Sequence, residues 1–277
     1  MNNSQLINES TKESLQRLLD LIGLVSPTSD LDKIRDTTVK SLKYASGSSK
    51  VREQTIVDQE VENAWYKSLQ TNTPYYSVYA SDYYLSEAFA CWAIYSKNYI
   101  KSMKSEKSLP ESGGIFQDMG EIKRIVDLGC GIGFTTAALS EIFPNAEVIG
   151  TNIEGTIQAD IAKKLSGQYH FRIVPDLKQV KSPVDLIFAS EYFEHIVNPI
   201  DHLFDIIQNF ESKAVVVANS FSAKAIGHFD EYMIADEPVK NKKVGRIFNS
   251  EMRLHGYSKV ETKMWNDRPT YWRLNEF

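Results

Sequence analysis

The sequence predicts an α/β protein: a mostly parallel, seven-stranded sheet with helices on both faces, closed by an antiparallel C-terminal hairpin and preceded by a helical region. Three observations predict it. Beyond about residue 120, apolar strand-like runs alternate with helical patterns. The run Arg124-Ile125-Val126-Asp127-Leu128-Gly129-Cys130-Gly131-Ile132-Gly133-Phe134 passes from an apolar strand, through glycines at alternate positions, into a helical stretch. The first 110 or so residues contain little that reads as strand. The expected division is a helical region or lid over 1–115 and a sheet domain over 116–277.

Taken in order, Leu15, Leu18, Leu19, Ile22 and Leu24 recur at helical spacing. Pro27-Thr28-Ser29-Asp30 breaks that helix, and Ser29 or Asp30 is placed to cap the next. Ala45-Ser46-Gly47-Ser48-Ser49 is a second break, and a third helix is expected from Val51 to Leu69. A tyrosine-rich segment follows, leading into a long, largely buried helix over Ser81 to Met103. Its rings either cover a ligand site, with Tyr79 and Tyr83 the substrate-facing candidates, or form aromatic core. Pro110-Glu111-Ser112-Gly113-Gly114 reads as the linker into the sheet domain. Strands are expected near 123–128, 147–151, 169–174, 184–189 and 213–218, with helices near 134–142, 154–166, 200–209 and 245–255. Ser258 to Lys263 and Thr270 to Leu274 read as a closing hairpin turned by Asn266-Asp267-Arg268-Pro269.

A strand that ends in a sharp turn before a helix aims free backbone N–H groups at whatever occupies the turn. The spacing Gly129-x-Gly131-x-Gly133 is not the Gly-x-Gly-x-x-Gly of dinucleotide folds, which argues against a nicotinamide-dependent dehydrogenase. Asp127 stands two residues before the first glycine, a place that suits an ammonium-bearing ligand better than a pyrophosphate.

At these residues the chain resembles the class I S-adenosylmethionine-dependent methyltransferases, which have a Rossmann-like fold. The resemblance continues through Ala146 to Ile153 as the second strand, Val184 to Ser190 as the fourth, and Glu191-Tyr192-Phe193-Glu194-His195-Ile196 as the loop after it. It covers roughly residues 120–277. It implies S-adenosylmethionine as cofactor, held by Asp127, Gly129, Cys130, Gly131, Gly133, Asn152, Ile153, Glu154, Asp176, Leu177, Ser190 and Glu191. Asp176 and Leu177 are expected near the adenine. The family usually ends its second strand in Asp or Glu, which binds the ribose hydroxyls, whereas Asn152 stands here. An amide can both accept and donate but lacks the charge that strengthens such bonds, and Glu154 is the alternative.

Methyl transfer needs in-line approach and a nucleophile relieved of its proton. Glu191, Glu194 and His195 are candidate bases after the fourth strand. The loop Asn219 to Tyr232 is long, as functional loops often are. In it His228 is the leading base or substrate contact, with Asp230 or Tyr232 as partner. Lys240, Lys242, Lys243 and Arg246 form a basic cluster, either a solvated face or a contact for substrate phosphates.

The 277 residues suffice for a sizeable core, and 42% hydrophobic with 24% charged residues is ordinary for a globular chain. A net charge of −5 gives no global attraction to nucleic acid. No apolar run approaches a membrane span, and Met1-Asn2-Asn3-Ser4-Gln5 lacks the features of a signal peptide. Cys91 and Cys130 are too few for a disulfide framework, so a cytoplasmic setting is expected. No metal site is expected. The sequence thus favours methyl transfer to an oxygen or nitrogen of a small molecule. A nucleic-acid or nucleotide methyltransferase stands second: base-stacking tyrosines and the basic cluster favour it, and the lack of an Asp/Asn-Pro-Pro-aromatic or Pro-Cys motif opposes it. A degenerate binding module, suggested by Asn152, stands third.

Overall fold

The computed structural model describes residues 6–50, 56–71, 73–107, 116, 119–260 and 269–275. The segments read above as linker and as hairpin turn therefore fall almost wholly outside the described residues.

The helical region holds α1 (Thr11–Val25), α2 (Leu31–Ala45), α3 (Ile56–Gln70), a 3-10 turn (Tyr76–Ala80) and α4 (Asp82–Cys91). A π-helical turn (Trp92–Ser96) carries α4 into α5 (Lys97–Lys107), so the expected long helix is one rod with a widened turn. Starts are set by side chains that satisfy free N–H groups. Ser10 and Glu13 form a capping box on α1, Asp30 accepts from the Lys33 N–H on α2, and Ser81 accepts from Tyr84 on α4. Each such cap stabilises its helix by roughly 1 kcal/mol.

The second part alternates β1 (Arg124–Asp127), α6 (Phe134–Ile142), β2 (Glu147–Thr151), α7 (Ile157–Ser166), β3 (Phe171–Val174), β4 (Leu186–Ser190), α8 (Pro199–Phe210) and β5 (Ala214–Ala218). After these come β6 (Glu231–Ile234), β7 (Glu237–Lys240), α9 (Asn241–Leu254), β8 (Tyr257–Val260) and β9 (Thr270–Leu274). Seven strands form one sheet in the order β3-β2-β1-β4-β5-β9-β8; the first five are parallel, and β9 runs antiparallel to β5 and β8. β5 is buried at every position because helices cover both faces of the central sheet.

β6 and β7 pair as a separate hairpin that the sequence reading ran into its long loop. Tyr232 accordingly belongs to a strand. The turn is Ala235-Asp236, both at positive φ (50° and 62°) without the Gly that usually marks such a turn.

The helices are not a loose appendage. Leu18, Leu19 and Ile22 of α1 share a core with Phe134, Ile161 and Leu165 of α6 and α7. Three polar ties then fix the tyrosine segment and its neighbours over the carboxyl ends of the strands. Trp65 Nε1 donates to the His228 carbonyl (3.3 Å), Gln158 Nε2 donates to the Tyr79 carbonyl (3.0 Å), and the Ser96 and Ser190 hydroxyls lie 3.2 Å apart.

Candidate active site

Where these helices meet the carboxyl edge of the sheet they enclose a cavity of about 740 Å³. That is within the ordinary range for small-ligand sites. One wall is the glycine loop with the tips of β2 and β4; the other is α4 with the loop after β5.

Gly131 is central to the first wall. Its φ is +53°, and a Cβ built on it would meet no atom within 4 Å because it would project into open space. Backbone and ligand can therefore come into direct contact here. Gly133, expected to serve the same ligand, does something else. A Cβ there would lie 2.9 Å from the Ala162 Cβ, so its lack of a side chain lets α6 start against α7, and it does not line the cavity.

At the tip of β2, Asn152 braces the loop. Its Oδ1 accepts from the Ile153 N–H (2.9 Å) and its Nδ2 donates to the Gly131 carbonyl (2.6 Å), two partners that fix which way the amide faces. An aspartate could not make the second bond. Lone-pair capacity on Oδ1 remains for a ribose hydroxyl. Glu154 is exposed, precedes the α7 cap Thr156, and is not among the lining residues. Asn152→Asp is therefore expected to loosen S-adenosylhomocysteine binding rather than tighten it. A lost hydrogen bond with a carbonyl left facing a carboxylate costs about 1–3 kcal/mol, or roughly five- to hundredfold in Kd by calorimetry. Tighter binding would show that a carboxylate at this tip serves the ribose and that the brace is dispensable.

The loop after β4 gives its two acids different settings, although their carboxyls stay in hydrogen-bond contact. Glu191 has φ +52° and lines the cavity beside Ser190. Glu194 is fully buried away from it, and its Oε1 accepts from the Ser220 N–H at 2.6 Å. Burial, then the Glu191 charge, holds the Glu194 carboxyl well above the usual range. It joins the β4 and β5 loops and cannot reach an acceptor, so it is removed from the candidate bases. Tyr232 is also removed: its hydroxyl donates to the Glu194 carbonyl (2.8 Å), and the ring is core. Tyr83 faces a separate small hollow beside α2 and α3. It follows that only Tyr79 of the two expected tyrosines lines the cavity.

His195 and His228 both line it, with ring centroids 4.8 Å apart and planes at 85°. The Tyr79 hydroxyl lies 3.1 Å from His195 Nδ1. His228 Nδ1 lies 2.9 Å from the Ala223 carbonyl. A carbonyl only accepts, so the neutral ring carries its proton on Nδ1 and its lone pair on Nε2. Burial and then the neighbouring His228 push His195 down to about 3; burial also lowers His228, opposed by the Ala223 and Ser220 carbonyls. Both rings are neutral at pH 7.

The sequence reading missed the face that α4 and the π-helical turn present. Tyr84, Glu87, Ala88, Cys91, Trp92 and Tyr95 line the cavity at intervals of three and four, the signature of one helix stripe. Of the other expected cofactor residues, Asp127, Gly129, Cys130, Ile153, Asp176 and Leu177 line the cavity. Lys240, Lys242, Lys243 and Arg246 are exposed outside it, and Lys240 pairs with Glu231 at 2.8 Å. No His/Cys/Asp/Glu cluster suited to a metal and no helix long and apolar enough to cross a membrane occur among the described residues.

Asp127 is buried at the foot of the glycine loop, and Thr136 Oγ1 donates to its Oδ2 at 2.6 Å. Burial pushes this carboxyl up to about 7, with the Thr136 bond opposing. A raised acid favours its protonated form, so at pH 6 the empty site holds a neutral carboxyl. A ligand ammonium restores the charge and expels the proton. S-adenosylhomocysteine binding is expected to release close to one proton at pH 6 and little at pH 8, read from calorimetry in buffers of different ionisation enthalpy. Asp127→Asn should abolish that difference; equal release at both pH values would place the ammonium elsewhere.

No family model matches the chain. Two curated proteins resemble part of it. Malonyl-[acyl-carrier protein] O-methyltransferase 2 of Ilyobacter polytropus is 27% identical over 119 residues, 42% of this chain and 46% of its own. Trans-aconitate 2-methyltransferase of Rhodopseudomonas palustris is 25% identical over 124 residues, 44% and 47% respectively. The chain thus spans about half the length of the curated relatives it matches. Among solved structures, the mitomycin 7-O-methyltransferase MmcR overlays 99% of this chain and 74% of its own at 9% identity and TM-score 0.46, too loose a likeness to weigh. The sheet order and the glycine loop with its acid at the tip of β1 give the chain the fold of the class I S-adenosylmethionine-dependent methyltransferases, and both curated proteins that resemble part of it are methyltransferases.

Proposed function

We propose that the protein transfers a methyl group from S-adenosylmethionine to an oxygen or nitrogen of a small molecule. The observation that carries this reading is the single cavity in which the glycine loop faces a neutral histidine pair. Asp127 would hold the methionine ammonium, and the Gly131 backbone would lie against the methionine chain. The remaining Oδ1 capacity of Asn152 would take a ribose hydroxyl. Asp176 would accept from the adenine amine while Leu177 packs on the ring. Helices α1 to α5 act as the lid that keeps water from the reacting atoms.

When bound, S-adenosylmethionine supplies an electrophilic methyl group on a sulfonium. The chain's own work is to place the acceptor and remove its proton. His228 Nε2 is the best-suited base, because the carbonyls of Ala223 and Ser220 favour its protonated form. His195 lacks that degree of support and is lowered further. Its contact with Tyr79 makes it a wall and positioning group. The enclosed volume fits cofactor and small acceptor together rather than a duplex. Calorimetric titration with S-adenosylhomocysteine, then isotope transfer from S-adenosylmethionine to a panel of small hydroxyl and amine compounds, tests the reading. No binding would leave a degenerate module. Binding with transfer only to nucleic acid would favour the second reading, and retention on heparin with steep salt dependence would accompany it.

A further inference from the structure

We propose that the acceptor is an uncharged aromatic hydroxyl compound, seated against the tyrosine–histidine wall, and that carboxylates in the same cavity turn away acidic acceptors. This rests on the methyltransferase reading above and goes beyond it to the substrate class.

The wall is continuous. Tyr76 and Tyr79 stack with planes 17° apart and centroids at 6.3 Å; Tyr84 meets the Tyr79 ring edge-on at 4.7 Å. Tyr79 meets His195 at 5.8 Å, and His195 meets His228 at 4.8 Å. All five rings line the cavity. A flat aromatic guest finds both ring faces and ring edges there, the arrangements aromatic pairs prefer.

The described lining holds no lysine or arginine; with Asp127 given to the cofactor ammonium and Asp176 to the adenine, the acids left to face an acceptor are Glu87 and Glu191. The three histidines of the lining, His195, His202 and His228, are all lowered by burial and do not offset them. In a recessed site like charges repel far more than in water. The acids match a process that carries one positive charge throughout. The acceptor oxygen forms its bond to the methyl carbon with a lone pair. The carbon–sulfur bond breaks with its electron pair left on sulfur, and the hydroxyl proton passes to His228 Nε2. The positive charge thereby moves from sulfonium to imidazolium, and the acids face it before and after.

The base sharpens the class further. A carboxylate acceptor arrives without a proton and has no use for a neutral imidazole. A phenolic hydroxyl is a weak nucleophile until its proton is removed, so a placed neutral base acts most strongly on it.

The test begins with the full chain saturated with S-adenosylhomocysteine, which reads the cofactor site alone. That complex is titrated at pH 7.5 with 2-naphthol, 2-naphthoate and 2-naphthylmethylamine, which share a ring system and differ in charge. The expected result is 2-naphthol binding at least tenfold tighter than 2-naphthoate. Glu191→Gln should narrow that gap severalfold, and Tyr79→Leu should weaken 2-naphthol. With S-adenosylmethionine, mass spectrometry should show 2-methoxynaphthalene. Naphthoate binding as well as naphthol, the amine binding tightest, or no probe binding to the cofactor-loaded protein each overturns the acceptor class while leaving the cofactor reading standing. Failure to bind S-adenosylhomocysteine at the first step overturns both.

Discussion

Gly131→Val is expected to weaken S-adenosylhomocysteine binding by at least about a hundredfold, close to 3 kcal/mol, while leaving the protein folded. The reasoning is geometric. Gly131 lines the cavity and a Cβ there meets no atom within 4 Å, so the added side chain meets the ligand before it meets the protein. The φ of +53° adds strain, because a β-branched residue is a genuine outlier there. That strain costs of order 1–3 kcal/mol, which a domain of ordinary stability withstands. Gly133→Ala is the control with the opposite signature. Its Cβ meets the Ala162 Cβ at 2.9 Å, so α6 and α7 must separate. Thermal stability should drop, while the protein that remains folded binds with near-normal affinity. If both variants bound normally in calorimetry, the glycine loop would be only a chain reversal and the cofactor would lie elsewhere.

The fold was legible because parallel strands buried on both faces read as short apolar runs between helices. β4 and β5, Leu186–Ser190 and Ala214–Ala218, show this plainly. The β6–β7 hairpin was not legible. Its strands carry Glu231, Glu237, Pro238 and Lys240, and its turn lacks glycine. The cofactor wall was legible because strand tips sit at one edge of any open parallel sheet, whatever the side chains. Which loop side chain faces inward was not. Glu191 and Glu194 are three residues apart; with a positive φ at the first, Glu191 lines the cavity and Glu194 is buried behind it, their carboxyls in contact. Tyr83 and Tyr84 differ by one helical step of about 100°, so only one can face the site. The sequence reading named Tyr83, whereas Tyr84, Ala88, Cys91 and Tyr95 form the stripe that lines the cavity. Asn152 appeared to be a weakened ribose ligand. Its bond to Gly131 is a contact between two loops, and nothing local in the sequence encodes it.

His228→Ala is expected to lower turnover by roughly 10²–10⁴-fold while S-adenosylhomocysteine affinity stays within about twofold. His228 is buried, so His228→Gln accompanies it to preserve volume; both variants should lose rate to a similar degree if the base matters and packing does not. His195 cannot take over. Its ring lies one T-shaped contact away, but burial and His228 hold it down to about 3. Nor can it swing closer: the Tyr79 hydroxyl lies 3.1 Å from its Nδ1, and the Gly227 backbone approaches so closely that a Cβ there would fall 2.3 Å from the same nitrogen. The pH profile supplies a readout that a merely structural role would not give. His228 is lowered from its ordinary value of 6.5, so the wild-type rate should stay level through neutrality and fall only at pH below about 6.5, as Nε2 becomes protonated. That acid limb should vanish in both variants, with the residual rate rising instead with hydroxide as the acceptor ionises unaided. A retained acid limb, or a loss confined to KM, would make His228 part of the wall and leave Glu191 as the remaining candidate base in the cavity.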